Sequence, residues 1–191
     1  MTGPVGEPLT VDEVKQQMRI LDNASDALIA GYITTARETA EQYMGRGLLT
    51  QTWKMTLRAF ANTIYLPMAS PLQSVTSITY YDSDGAQQTL ATSVYDVDTV
   101  CRPGAVVLKP DQLWPAVQTL NRKGAIEITY VVGWTDTGSV PQRIKQGIAQ
   151  YVTYLDQDRD GMDAAALQAQ QAAERCWSDR IEWTPPRWGI Y

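Results

Sequence analysis

Histidine is absent from this 191-residue chain. Its absence removes Ser-His-Asp and Cys-His nucleophile systems, imidazole acid–base catalysis and every zinc site that needs imidazole. Only lysine or carboxylate chemistry stays open to an enzyme. Cysteine is nearly absent: Cys101 and Cys176 have no CxxC partner. A disulfide between them depends on geometry that sequence does not test, and two free thiols is the reading for a reducing compartment. No apolar run approaches the length that crosses a bilayer, so no membrane partner is expected. Met1-Thr2-Gly3-Pro4 has neither the basic nor the apolar stretch of a signal peptide, which points to assembly in a cytoplasm. Basic residues are the minority, 16 against 21 acidic, for a net charge of −5. That is the wrong sign for gripping phosphates, although not for a protein that DNA merely passes. Gly31, Gly45 and Gly47 lack phosphate-loop spacing, and no G-x-x-x-x-G-K motif occurs.

What is present is a change of rhythm that happens twice. Residues 9–45 carry helical periodicity, residues 51–134 read as short strands, and residues 140–178 are helical again. Thr10 and Glu13 have capping-box spacing, with Leu9 and Val14 at the positions of a hydrophobic staple. That helix should end near Arg19. A second helix follows a polar break, with Leu28, Ile29, Tyr32, Ile33, Ala36, Ala40 and Tyr43 on one face and Gly45 as its stop. The rhythm then becomes two: Trp53, Met55 and Leu57 alternate with Thr52, Lys54 and Thr56. Further strands are expected at 63–66, 75–81, 87–90, 94–97, 106–108 and 125–134, with a turn at Asp82 to Gly85. Ser139 and Gln142 again have capping-box spacing. Ile144, Ile148, Tyr151, Val152 and Leu155 mark the next helix, and 162–176 a last one.

The expected fold class is therefore α+β, a helical bundle interrupted by an inserted antiparallel β-rich block, with an extended C-terminal tail. The expected boundaries are 1–50 and 136–178 for the helical base, 51–135 for the insertion and 179–191 for the tail.

The wording of these segments carries a resemblance. "LTVDEVKQQMRI", "DALIAGYITTARETAEQYMGRGLLTQTW", "LPMASPLQSVTSITYYDSDGAQQTL", "ITYVVGW" and "VPQRIKQGIAQYVTYL" together resemble the head–tail connector (adaptor) proteins of tailed bacteriophages, in their longer form with a β-rich insertion. The likeness covers about residues 9–155 and rests on the order of segments. It implies a structural protein with no catalysis and no cofactor. It implies a ring of copies, usually twelve, between a portal protein and a tail or stopper protein at the head–tail junction of the virion. DNA would pass through that ring without tight binding. The competing reading is a β-rich binding module, for carbohydrate or protein, on a helical base.

Four constellations invite a site. Asp156-x-Asp158-x-Asp160-Gly161 resembles the start of an EF-hand loop, but Leu167 stands where the bidentate Glu belongs and Ala164 at position nine, so no metal site is expected. Trp177, Arg180, Trp183, Arg187, Trp188 and Tyr191 have the composition of interface anchors. Pro185-Pro186 resists regular structure, which favours docking onto another chain over covering this chain's own core. Leu28, Ile29, Tyr32 and Ile33 lie in a segment apolar nearly all round, read either as a subunit contact or as a helix buried in its own fold. Asp96, Asp98, Lys109 and Asp111 have no convergent partner in the sequence and read as a solvated face.

Overall fold

The Thr10 hydroxyl accepts from the Glu13 amide, and Glu13 reaches back to the Thr10 amide at 2.7 Å. The computed structural model describes residues 2–21, 23–118, 124–157 and 164–178. This box starts α1 (Val11–Met18), which Arg19 closes in the left-handed conformation. The Glu13 carboxyl is held below its usual range, first by the Thr10 backbone bond. α2 (Asp26–Met44) ends at Gly45 with φ 68°, a conformation that suits a residue without Cβ. α3 (Gln142–Gln157) and α4 (Ala164–Ser178) complete the helices. Ser139 does not begin α3 as its spacing implies. Its hydroxyl and amide both donate to Asp136, capping a short 3-10 turn at Thr137–Ser139. The carboxylate three residues upstream captures the hydroxyl before the helix can.

The chain divides into two compact units, and the fold is mixed α+β. One unit comprises Pro4–Leu49 and the described residues from Trp134 on, and contains the four α-helices found among the described residues. Its core is built from one face of each helix: Val14 from α1, Ile29, Ile33 and Ala36 from α2, Ile144, Ile148 and Val152 from α3, and Trp177 from α4. Burying a side chain such as Ile or Leu stabilises by about 2 kcal/mol, so these faces explain why the helices stay together. Leu48 accepts from the Trp134 amide at 2.9 Å, and Leu49 and Trp134 form a parallel bridge.

The other unit, Thr50–Gly133 joined by Thr2 and Gly3, holds seven strands in two sheets among its described residues. They are β1 (Gln51–Leu57), β2 (Thr63–Tyr65), β3 (Leu72–Tyr81), β4 (Gln87–Thr89), β5 (Tyr95–Asp98), β6 (Ala105–Leu108) and β7 (Ile126–Val132). The larger sheet runs β1-β7-β3-β4 and the smaller β2-β6-β5, every pairing antiparallel. Register sorts the larger sheet's side chains. The rows Trp53–Tyr130–Val75, Met55–Ile128–Ile78 and Leu57–Ile126–Tyr80 face the core. The rows Lys54–Thr129–Ser77 and Thr56–Glu127–Thr79 lie on the opposite, polar face. Tyr130 is buried, its hydroxyl donates to the Pro67 carbonyl, and burial pushes its pKa up. Asp82 folds the β3–β4 hairpin by accepting from the Asp84 and Ala86 amides, with Gly85 at φ 80°. Phe60 stacks on Trp114 with ring centroids 4.5 Å apart.

Candidate assembly surfaces

Helix α2 shows how a single segment serves both core and surface. Its Arg37 is 4% exposed, yet pairs with Glu7 and Glu41 at 2.9 Å each and with Glu38 at 3.4 Å. Burial alone would lower the guanidinium's pKa, but the Glu7 and Glu41 carboxylates outweigh this and raise it. Glu41 also accepts from the Leu48 amide at 2.7 Å, fixing the chain as it leaves the helix. These buried charges are invisible in a hydrophobic pattern. The only sequence hint is the i, i+4 spacing of Arg37 and Glu41.

Of the four side chains expected at a subunit contact, Ile29 and Ile33 are corrected to core residues, each 1% exposed in the helical unit. Tyr32 packs at the margin of that core, and Leu28 is 45% exposed. The segment is therefore not apolar towards a partner on every side. The residues α2 presents outward include Leu28, Gly31, Thr35, Glu38 and Gln42, all exposed. Thr35 and Thr39 turn their hydroxyls back to carbonyls one helical turn earlier.

The α1–α2 corner is a second surface. Lys15 is buried, and its ammonium donates to Asn23 and to Asp26. This holds the corner closed and pushes Leu21 outward, 98% exposed. Asp12, Gln16, Arg19 and Ile20 line a shallow groove beside it.

Trp177 requires a second correction. It is fully buried between Tyr43 and Tyr151, and its indole donates to the Ile144 carbonyl. It belongs to the chain's own core, because α4 runs two residues past the expected end and carries the ring inward. Arg180, Trp183, Arg187, Trp188 and Tyr191 lie outside the described residues, as do Asp158, Asp160 and Gly161. Asp156 lies within α3. Among the described residues no group of three or more metal-ligating side chains gathers. Asp98 caps its own turn by accepting from the Val100 and Cys101 amides. Lys109 lies 3.4 Å from Asp96 and donates to the Thr92 carbonyl, and Asp111 takes a left-handed turn conformation. These groups do not converge. Cys101 and Cys176 are free thiols.

Residues 8–97 match the family of phage gp6-like head-tail connector proteins. A chain from the neck of an empty gene transfer agent (GTA) particle, computed with C6 symmetry, is 19% identical with a TM-score of 0.73, over 97% of this chain and 98% of that one. A chain from the neck of a native GTA particle, computed with C12 symmetry, is 18% identical with a TM-score of 0.71 over the same shares. A chain from the virion of a native GTA particle is 20% identical with a TM-score of 0.70, over 92% of this chain and 94% of that one. At these identities the likeness is one of fold. Among curated proteins, none matches the chain.

Proposed function

Starting from residues 8–97 as a stretch of the phage gp6-like head-tail connector family, we propose that this protein is a structural connector at the head–tail junction of a tailed particle. The observation that carries the reading is that family match, which spans both helices of the N-terminal half and the first strands. Several copies form a ring, and the number proposed is twelve. One side of the ring meets a portal protein and the other a tail or stopper protein. The C6 and C12 symmetries of the GTA necks that share this fold support a ring. The protein is made in the host cytoplasm and ends in the virion.

The chemistry of the chain suits such a role. Its work lies in surfaces, and no catalytic step is proposed for it. Net charge −5 keeps phosphates weakly held, so DNA can pass through a channel without sticking. The tail anchors Arg180, Trp183, Arg187, Trp188 and Tyr191 remain proposed as contacts to the portal or a neighbouring copy. Leu28, with the exposed face of α2 around it, is the proposed contact between copies.

Cryo-electron microscopy of intact particles, with native mass spectrometry of the isolated neck, tests this. The expected result is a ring of this chain between portal and tail. One or two copies per particle, or a position away from the neck, would overturn the reading.

A further inference from the structure

Among the described residues the larger sheet is open along β4 and along β1 beyond Thr52, and these two edges complement each other. At one edge, the Thr2 and Thr52 backbones exchange hydrogen bonds of 3.1 and 3.2 Å. Backbone groups two residues apart on a strand point the same way, so those of Lys54 and Thr56 also face outward from β1. Among the described residues nothing pairs with them. At the opposite edge, Leu90 donates to the Ile78 carbonyl and Asp82 to the Ala86 carbonyl. The groups of Gln88 thus face β3, and those of Gln87 and Thr89 face outward. Every residue of β4 is exposed.

Natural sheets guard such edges with charge, proline or a bulge. β4 reads Gln-Gln-Thr and carries none of these. β1 carries Lys54, but its ammonium is drawn across the sheet face to Glu127 at 2.8 Å, away from the edge. Strand direction also agrees. β1, β7, β3 and β4 alternate, so a second copy's β1 laid beside β4 is antiparallel to it. Two different edges of one chain make a head-to-tail contact, the kind that generates a ring when the rotation closes.

We propose that β4 of one copy pairs with β1 of the next, so that the β-rich units join edge to edge around the assembly. The contact spans Lys54 and Thr56 on one side and Gln87 and Thr89 on the other. It is short, so the free protein need not associate through it alone, and it gains from closure of the ring. This rests on the ring reading above.

The test is a cross-link in particles. In a background with Cys101 and Cys176 replaced by Ser, Lys54→Cys with Thr89→Cys covers one register, and Thr56→Cys with Thr89→Cys the other. Within one chain the two edges lie about 14 Å apart, three strand spacings, which no disulfide spans. Oxidation should give a covalent ladder of this chain from one of the double variants and none from the single ones. Thr89→Pro removes an outward donor and spares the β3–β4 pairing. It should lower incorporation into particles about tenfold while the free protein melts normally. A chain present in many copies that gives no ladder overturns this proposal and leaves the ring reading standing. A ladder that forms only after deletion of residues 179–191 means the chain's own tail takes the edge, and overturns it too. A chain present at one or two copies fails the ring reading itself.

Discussion

Gly147 of α3 lies so close to the indole of Trp177 that a Cβ at position 147 would overlap Nε1. The absence of a side chain at one position creates the seat for the largest side chain of the helical core. Gly147→Ala should therefore cost about 1–3 kcal/mol by overpacking. Trp177→Ala should cost more, about 3–5 kcal/mol, which lowers Tm by roughly 10 °C in a chain of this size. Calorimetry of both variants checks the order. A Gly147→Ala protein that melts like wild type would show that the ring moves freely aside.

The Arg37 network gives a second expectation. Glu41→Ala takes one carboxylate from the buried Arg37 guanidinium, which keeps Glu7, and leaves the Leu48 amide without its carboxylate acceptor. Removing one partner of a buried pair costs about 3–5 kcal/mol, whereas the exposed Lys54–Glu127 pair is worth about 0–1 kcal/mol. Urea denaturation of Glu41→Ala and Lys54→Ala should separate the two by several-fold.

Much of the helical unit is legible in the sequence, because its signals are local. Thr10 and Glu13 lie three residues apart and act on each other. Gly45 and Gly85 are needed where φ is positive. The strands are equally visible, but their assignment to two sheets is not. Ile64 and Val106 pair across forty residues of sequence, and nothing local to either says so. Phe60 and Trp114 sit in segments with no periodicity, and only the folded chain stacks them. Trp177 is misread because its neighbours in sequence are tail residues, while its neighbours in space are Tyr43 and Tyr151.

Removal of residues 179–191 should leave melting of the free protein nearly unchanged, since the described residues of the helical core lie between Leu9 and Trp177. It should weaken attachment to the portal or a neighbouring copy. An aromatic anchor at an interface centre is typically worth about 2 kcal/mol, or roughly thirtyfold in affinity. Pull-down of portal by full-length and shortened protein measures this. A truncated chain that melts early yet enters particles at normal occupancy overturns the role given to the tail.

Stability should hardly vary between about pH 5 and 8, because no imidazole titrates there. Acid should act differently. The Glu13, Asp82 and Asp136 carboxyls are all held below their usual range by hydrogen bonds. A depressed folded pKa gives stability that is full above the unfolded value of about 4 and is lost as pH falls through the folded one. Tm should therefore drop only below about pH 4, and less steeply in Asp136→Asn. A steep transition near pH 6 would contradict this account.

The isolated protein should not retard duplex DNA at physiological salt, since few phosphates can be neutralised. A gel shift that weakens with added salt would show a basic surface that the net charge conceals.

The bridge between Leu49 and Trp134 bears on the order in which the chain folds. α2 and α3 share a core, yet the whole β-rich unit separates them along the chain. An unstructured loop of that length makes their meeting an entropic search. Once the β-rich unit has formed, β1 and β7 hold residues 51 and 132 opposite each other, and the search is over before the helices begin it. To the helical unit, the folded insertion is then no longer a loop but a tight turn. A change that slows pairing of β1 with β7 should delay the helices as well, although none of them touches it in sequence.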